Sequence, residues 1–241
     1  MLRRVENPVV VNLLNTILSR PDDAKLVCLQ LEQTRLDVVV QDVLLNTLDI
    51  LPISKLLFSN CSFPPMGLLK VISLLGSSVE LERLFIRRCK LSISEAVSSL
   101  MLPTMKDSSI VELSLIGIEI AEEAAEALEL CVGGSVFLHT LSLDECDLGP
   151  RCMTSVVRSL EKSSLSSLSL KKINIGELAH DLFYNVGKAG TMRNLFLDGC
   201  TLCSRSAADL QWMTKAYRRR GADIYVSMFK FKKMIGCDKG I

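Results

Sequence analysis

The chain has 241 residues, 49% of them hydrophobic, and its 28 lysines and arginines against 27 aspartates and glutamates give a net charge of +1. This balance provides no global field that would draw the protein to nucleic acid or to an acidic membrane. Apolar runs stay far short of the roughly 20 residues that span a bilayer, so we expect no transmembrane helix and no membrane association.

The first predicted element is a helix within residues 1–25. Asn7 followed by Pro8 is typical of a helix N-cap with proline at the first helical position. Leu13 and Ile17 continue an apolar stripe along one side of this helix. We expect it to cap the N-terminal end of the fold.

From residue 26 to residue 218 one motif recurs seven times. Its form is L-x-x-L-x-L-x-x-(C/T/I)-x-(L/F/I), and successive copies start 27 to 29 residues apart. The copies begin at Leu26, Ile53, Leu81, Ile110, Leu138, Leu165 and Met192. Seven matches in phase are typical of a repeat protein.

Each copy predicts one strand followed by one helix. The fourth and sixth motif positions are apolar, and this period of two places Leu141 and Leu143 on one face of a strand and Ser142 on the other. Apolar residues then recur at helical spacing, as at Val157 and Leu160. Neither element can bury its apolar face alone, so neighbouring units must share one continuous core.

An eighth, degenerate copy is predicted within residues 219–241. Counting 27 residues from the start of the seventh copy reaches Arg219, which places Ala222 at the fourth position and Ile224 at the sixth. The lysine-rich segment from Lys230 to Lys233 fits a closing strand, because lysines discourage edge-to-edge pairing. A tail that binds nucleic acid or lipid is the alternative interpretation.

The repeat resembles the ribonuclease-inhibitor-like class of leucine-rich repeat proteins, whose units of about 28 residues often carry cysteine at the ninth position. Cysteine stands there in four copies, as Cys61, Cys89, Cys146 and Cys200. The resemblance implies an α/β solenoid shaped like a horseshoe, with a parallel sheet on the concave face, helices on the convex face, and seven repeats between terminal caps. It also implies a protein-binding surface.

The nine cysteines predict an intracellular, cytoplasmic protein. Their number is odd, and several share one repeat position where a thiol fills a small buried slot, so we expect free thiols in a reducing compartment. Cys200 and Cys203 formally match C-x-x-C, but no second such pair exists for a zinc site. We therefore expect no metal and no cofactor.

Catalytic signals are thin. The two histidines, His139 and His180, are more than one repeat apart, and no recognisable motif places a nucleophile beside either. Neither a P-loop nor G-x-G-x-x-G is present to hold a nucleotide. We expect no enzyme activity and no small-molecule substrate.

The repeat register predicts which side chains point away from the core. The fifth position points outward at the strand centre, and the seventh and eighth positions lie at the strand end on the same surface. The candidate partner-binding residues are Phe85, Arg87, Arg88, Asp144, Glu145, Lys171, Lys172, Phe196, Asp198 and Tyr225.

Two groups among these candidates differ in their interpretation. Asp144 and Lys171, with Asp198 beyond them, fit either a cross-strand charge ladder or contacts to a partner, since adjacent strands lie about 4.8 Å apart. Arg87 and Arg88 face no acid in the following copy. Together with Phe85 they are the expected anchor, because aromatic residues and arginine are enriched at protein interfaces.

We therefore predict a non-enzymatic interaction module that binds a protein partner through its concave strands. One alternative is a structural subunit of a large intracellular assembly, which would use convex and terminal surfaces. A second resembles the GTPase-activating proteins of Ran, which share the repeat type but carry an acidic tail where this one is basic. A third is a ubiquitin-ligase substrate receptor, although the residues before the first repeat are too few for an F-box.

Overall fold

A computed structural model of the protein describes residues 28–50, 53–75, 80–105, 108–203, 205–228 and 232–233. Within them, eight strands form one parallel sheet whose strands pair in chain order, and seven α-helices alternate with these strands along the chain. The molecule is thus an α/β, solenoid-like stack of strand–helix units. The predicted N-terminal cap, residues 1–25, lies outside the described residues.

Each of the first seven units supplies one strand of the large sheet and one helix. The strands are β1 (Cys28–Glu32), β2 (Lys55–Ser59), β3 (Arg83–Arg87), β4 (Glu112–Ile116), β6 (Thr140–Ser142), β8 (Ser167–Ser169), β10 (Asn194–Phe196) and, from the eighth unit, β12 (Tyr225–Ser227). The helices are α1 (Val38–Ile50), α2 (Gly67–Leu75), α3 (Ile93–Met101), α4 (Ala125–Gly134), α5 (Pro150–Ser159), α6 (Ala179–Ala189) and α7 (Ser206–Arg219). None of these described helices is both long enough and apolar enough to span a membrane.

Shorter strands follow the large sheet along one edge of the stack. They are β5 (Glu119–Ile120), β7 (Asp147–Leu148), β9 (Asn174–Gly176), β11 (Thr201–Leu202) and β13 (Lys232–Lys233). β5 pairs with β7, and β9, β11 and β13 form a second small parallel sheet. These pairs extend the contact between units beyond the main strands.

The large sheet pairs in the register that the motif predicts. Residues at the fourth motif position lie side by side from one strand to the next: Leu29, Leu56, Leu84, Leu113, Leu141, Leu168 and Leu195. The predicted strands of all seven copies are therefore confirmed in position and in phase. A slip of one residue would have exchanged the two faces of every strand.

The predicted phase of the eighth copy is wrong by four residues. Val226, and not Ala222, pairs with Leu195, which places Tyr225 at the third motif position and Ser227 at the fifth. Four residues are about one helical turn. Leu195 and Val226 are 31 residues apart, against 27–29 between the fourth-position leucines of earlier neighbouring units, so the chain returns to the sheet about one turn later.

The lysine-rich segment near the C-terminus contributes β13. Lys232 and Lys233 pair in parallel with Thr201 and Leu202 of the seventh unit. This pairing is the arrangement that a closing strand requires. The flanking residues 229–231 and 234–241 lie outside the described residues.

The core lies between the large sheet and the helices. Fourth-position and sixth-position strand residues such as Leu84 and Ile86 join helix residues such as Leu128, Phe183 and Tyr217 in one continuous buried cluster. Because the cluster runs through every unit, no single unit buries its apolar face alone. The sheet is consequently held as a rigid platform, and its opposite face is left for other side chains.

Candidate binding surface on the open face of the sheet

The face of the large sheet turned away from the helices carries the third, fifth and seventh motif positions, and we call it the open face. In β3, for example, Leu84 and Ile86 belong to the core, whereas Arg83, Phe85 and Arg87 lie on the open face. The alternation that produces this division is the pleat of the strand itself. Most of the candidate residues predicted from the sequence belong to this face.

Phe85 is not the exposed anchor that the sequence predicted. Its side chain is only 7% exposed, because Lys55 Nζ lies 4.9 Å and Arg87 Cζ 5.4 Å from the centre of its ring. Leu57 and Ser114 flank it on the neighbouring strands. Cations over an aromatic face contribute about 0.5–1 kcal/mol each at exposed sites. The ring is thus a structural support, and the open face presents the charges above it.

Arg88 forms an ion pair with another residue of the chain, contrary to the prediction that it faces no acid. Its Nη2 lies 2.8 Å from Oε2 of Glu145, which belongs to the second unit further along the chain. The side chain crosses Gly117, where a Cβ would meet Arg88 Cγ at 2.9 Å. At the eighth position the adjacent copy has only Gly117. A prediction that compared adjacent copies therefore missed Glu145, which lies one copy further along the chain.

The eighth motif position has a left-handed backbone in each of the seven units. Its φ lies between 48° and 73° at Gln33, Asn60, Arg88, Gly117, Glu145, Lys172 and Gly199. The N–H group at this position donates to the seventh-position carbonyl of the next unit, as from Arg88 to Ile116 at 2.7 Å and from Glu145 to Lys171 at 2.8 Å. This ladder of hydrogen bonds lines up the eighth-position side chains along one edge of the open face.

Glu145 is the centre of an ion-pair ladder along that edge. Lys172 Nζ bonds its Oε1 and Arg88 Nη2 bonds its Oε2. The hydrogen bond from Lys172, followed by that from Arg88, holds the pKa of the Glu145 carboxyl below its ordinary value of 4.5. Solvent reaches all three groups, so each pair contributes about 0–1 kcal/mol.

Asp144 and Asp198, two acidic seventh-position residues, accept hydrogen bonds from neutral groups of the next unit. Asp144 Oδ1 accepts hydrogen bonds from the backbone N–H of Lys171 at 2.8 Å and from Ser169 Oγ at 2.6 Å. Asp198 Oδ1 accepts from Ser227 Oγ at 2.6 Å in the same way. The hydrogen bond that joins Asp144 to Lys171 is therefore to the backbone. The sequence suggested a charge ladder at the seventh position, formed by Asp144, Lys171 and Asp198. The structure instead has ion pairs at the eighth position, from Arg88 and Lys172 to Glu145.

Phe196 and Tyr225 form an aromatic pair at the C-terminal end of the open face. Their ring centroids are 5.9 Å apart with planes inclined by 60°, and Lys171 Nζ lies 5.0 Å from the centre of the Phe196 ring. Tyr225 is 59% exposed. Its strand position is diagonal to Phe196, a spacing that aromatic side chains can bridge. The structure thus brings three predicted residues together in a cluster in which Tyr225 is exposed and Lys171 and Phe196 are half-buried.

Two basic residues of the open face were not predicted from the sequence. Lys55 and Arg83 occupy the third motif position, and Arg83 Nε lies 3.8 Å from Glu112 Oε2 on the next strand. With Arg87 they form a basic cluster above Phe85. The strand alternation that assigns the fifth and seventh motif positions to the open face also assigns the third position to it. The motif therefore already contained the information needed to predict Lys55 and Arg83.

The ninth-position cysteines close the turns behind this surface. Sγ donates to the sixth-position carbonyl of the preceding unit, from Cys61 to Leu31 at 3.3 Å, and likewise from Cys146 and Cys200. Burial raises the pKa of Cys146 to about 12. The eight cysteines that the structure describes are free thiols, and Cys237 lies outside the described residues. Among the described residues, no group of three or more potential metal ligands occurs.

No protein-family model matches the chain, and no curated protein matches it. Its function is accordingly inferred from the geometry of the open face.

Proposed function

We propose that the chain is a leucine-rich repeat solenoid of the ribonuclease-inhibitor-like type that binds a protein partner through its open face. In this proposal the sheet is the concave side of a horseshoe and the helices are its convex side. Two observations support it: the motif recurs in phase in seven units, and the parallel strands of the large sheet pair in chain order. The protein would act as a non-enzymatic adaptor.

The observation that carries this proposal is the cluster of Lys171, Phe196 and Tyr225, whose tyrosine is exposed and whose other two side chains are partly exposed. Aromatic side chains left in water on a rigid strand are the type that dominates binding energy when a partner covers them. Their positions are fixed by strand register and by the ring contact between Phe196 and Tyr225. A preformed surface loses little conformational entropy on binding, which favours affinity.

The basic cluster of Lys55, Arg83 and Arg87 suggests a second contact for the same partner. This cluster lies on β2 and β3. In the large sheet, β3 is separated from β10 by four strand spacings. At about 4.8 Å per strand the two clusters are roughly 19 Å apart. A partner that covers both fits a standard interface of about 1,200–2,000 Å². Its acidic portion would face the basic cluster.

The proposed compartment is the cytoplasm. Buried free thiols at one repeat position fit a reducing environment, since oxidising compartments favour paired cysteines. A structural subunit, the main alternative to an adaptor, would instead bind through its helices or its ends. Because such a subunit would make no use of the open face, loss of a captured protein in open-face variants distinguishes the two.

Affinity capture from cell extract with matched variants tests the proposal. The double variant Phe196→Ala with Tyr225→Ala removes the aromatic pair. Phe137→Ala is the control, because Phe137 is a similarly exposed aromatic residue that precedes β6 and lies off the open face. Cross-linking followed by mass spectrometry then places the captured protein on the surface.

We expect wild type and Phe137→Ala to capture the same proteins. The double variant should lose at least one of them under conditions in which circular dichroism shows it to be folded. Cross-links of that protein should map to residues of the open face. If the double variant and the charge-reversed pair Lys55→Glu with Arg83→Glu retain every captured protein, the open-face proposal fails. The structural-subunit alternative would then take its place.

A further inference from the structure

The last two helices carry an aromatic stack on the side that faces solvent. The ring of Tyr184 on α6 stacks on Trp212 of α7, with centroids 5.2 Å apart and planes inclined by 19°. His180, one turn earlier on α6, stacks on Tyr184 at 6.3 Å and bonds Asp209 at 2.8 Å. Tyr184 is 40% exposed and Trp212, the single tryptophan of the sequence, is 44% exposed.

A glycine within α6 holds the indole in this position. A Cβ at Gly187 would lie 2.7 Å from Cζ3 of Trp212, so the benzo ring rests on bare helix backbone. Glycine inside a helix is unfavourable by about 0.5–1 kcal/mol relative to alanine. An indole that rests on Gly187 and stacks on Tyr184 is a rigid apolar surface, although none of this arrangement belongs to the core.

The rings are bordered by positive charge. Lys188 Nζ lies 5.0 Å from the centre of the Tyr184 ring, and the last turns of α7 add Lys215, Arg218 and Arg219. Within the described part of the chain, no carboxylate pairs with any of these three α7 residues. Their position at a helix C-terminus is also favourable for the helix dipole, which accounts for some of this charge but not for the aromatic rings beside it.

A shallow recess adjoins the indole. Trp212, Lys215, Ala216, Arg219 and Arg220 line it, and its volume is about 250 Å³. Ala216 is the smallest of these side chains, and Arg220 is fixed at the edge because its Nη1 donates to the carbonyls of Gly187 and Lys188. The recess thus combines one aromatic wall with a rim of cations.

We propose that this surface, which we call the helical patch and define by Tyr184, Lys188, Trp212, Lys215 and Arg219, is a second docking site. Its occupant is an acidic segment of a partner protein that places an apolar side chain against Trp212. Carboxylates of the segment pair with Lys215 and Arg219, and the apolar side chain fills the recess. The helical patch is on the opposite side of the units from the open face, so both sites can be occupied together.

Two observations favour an acidic protein segment over nucleic acid. The face of Tyr184 is already stacked on His180 and Trp212, so it is not available as a platform for bases. Asp209 and Glu161 stand among the cations, bonded to His180 and Lys188, and would repel a continuous phosphate backbone. A peptide carries its carboxylates at separate positions, so these can pair with Lys215 and Arg219 without lying next to Asp209 or Glu161.

Selection from a random library of phage-displayed dodecapeptides tests the proposal and does not require the partner to be identified first. The full chain is the target, and counter-selection uses Lys215→Glu with Arg219→Glu. We expect the enriched peptides to share acidic residues around one apolar residue. A synthetic peptide of that consensus should change the fluorescence of Trp212 saturably, and because no other tryptophan is present the signal reports this site alone.

Four variants make the test specific. We expect Lys215→Glu with Arg219→Glu, and separately Trp212→Ala with isothermal calorimetry as readout, to weaken the consensus peptide tenfold or more. Gly187→Ala, which keeps every charge but displaces the indole, should weaken it several-fold. Arg151→Glu with Arg158→Glu is the matched control, because it reverses two exposed charges on the neighbouring helix α5 and should leave affinity within twofold. Circular dichroism verifies that each variant is folded.

Three results would overturn the proposal. The first is a selection that yields no peptide family able to distinguish wild type from the charge-reversed variant. The second is a consensus without acidic residues, or one whose binding is unaffected by Trp212→Ala. The third is tighter binding of a dodecameric thymidine oligonucleotide than of the best peptide, which would assign the helical patch to single-stranded nucleic acid.

Discussion

The guanidinium group of Arg88 reaches the carboxylate of Glu145 at 2.8 Å although a complete unit separates them. Gly117 stands between the two in the row of eighth-position residues, and its missing side chain is the space through which Arg88 passes. The pair therefore depends on three units at once: one supplies the cation, one the gap and one the anion. It ties the third unit, which carries Arg83 and Arg87 of the basic cluster, to the fifth unit.

Gly117→Ala should break this relationship. The added Cβ would lie 2.9 Å from Arg88 Cγ, and Gly117 has a φ of +61°. A left-handed backbone costs a residue with a Cβ about 1–2 kcal/mol, so we expect the free energy of unfolding to fall by about that amount. Urea denaturation followed by circular dichroism measures it.

Gly134→Ala is the control for this change. Gly134 ends α4, and a Cβ there would meet nothing within 4 Å. The same substitution should be neutral or stabilise slightly, because alanine favours helix by up to about 1 kcal/mol. Equal losses in both variants would show that the gap at Gly117 has no special role.

The stability of the protein should depend on the charge of Glu145 in acid. Hydrogen bonds from Lys172 and Arg88 lower the pKa of this carboxyl in the folded state. Its contribution is therefore complete above the unfolded pKa of about 4.5 and is lost as the pH falls through the lower folded value. We expect Glu145→Gln to be less stable than wild type by up to about 1 kcal/mol at neutral pH.

The difference between wild type and Glu145→Gln should shrink as the pH falls from about 5 to about 3, and also in about 1 M salt at neutral pH. Chemical denaturation over this pH range measures the first effect, and denaturation at neutral pH with and without the salt measures the second. Glu129→Gln, on the exposed side of α4, is the surface control, and Glu129 has no ion pair among the described residues. A pH-independent difference at Glu145 would contradict the proposed ladder.

The sequence predicted the sheet well because a repeated motif provides the register directly. Leucines such as Leu113 and Leu141 had to lie side by side once their copies were aligned, and they do. Tyr225 marks the limit of such a prediction, since the chain between β10 and β12 is longer than in the other units and no motif position in the eighth copy was strong enough to reveal it.

The candidate site was harder to predict, because contacts between long side chains extend beyond one unit. Phe85 was assigned to the correct face, but its burial depends on where Lys55 and Arg87 place their cations. The helical patch was missed for a related reason. Tyr184 and Trp212 meet across two helices, and the glycine that permits the contact, Gly187, carries no signal in a strand-based motif.

Burial in the shared core should decide the cost of removing a leucine. Leu168 in the middle of β8 is 0% exposed, whereas Leu130 on α4 is 41% exposed. We expect Leu168→Ala to lower the free energy of unfolding by about 2–5 kcal/mol. The identical change at Leu130 should cost about 0.5 kcal/mol. Thermal melting of both variants provides the comparison, and similar values would mean that the register is not the one described.

The cysteines should react in the order of their accessibility. Cys28 is exposed and Cys203 half-buried, so iodoacetamide should modify them first under native conditions. Burial raises the pKa of Cys131 to about 12, and the reactive species is the thiolate, so this residue should react only after unfolding. Timed labelling followed by mass spectrometry measures each rate.

Cys61 separates the effect of accessibility from that of thiolate formation. A hydrogen bond with Cys89 lowers the pKa of Cys61, yet the Cys61 side chain is buried. We expect it to react more slowly than Cys28, because the reagent must reach the sulfur. Native labelling of Cys61 at the rate of Cys28 would show that this turn opens readily.

Phe85 and Tyr225 should separate stability from binding. Phe85 is buried beneath two cations, so Phe85→Ala should lower the free energy of unfolding by about 3 kcal/mol. Tyr225 is 59% exposed, so Tyr225→Ala should cost about 0.5 kcal/mol. Removing an aromatic anchor typically costs about 2 kcal/mol of binding energy or more, so Tyr225→Ala should weaken the open-face partner at least tenfold.

Affinity is measured at a temperature where both variants are folded, so that unfolding of a variant is not mistaken for loss of a contact with the partner. Under this condition Phe85→Ala should retain the partner within a few-fold, because its ring supports Lys55 and Arg87 without presenting itself to a ligand. The opposite result would be a stable Phe85→Ala that no longer binds and a Tyr225→Ala that binds normally. It would show that Phe85 is the anchor and that the pair of Phe196 and Tyr225 is not.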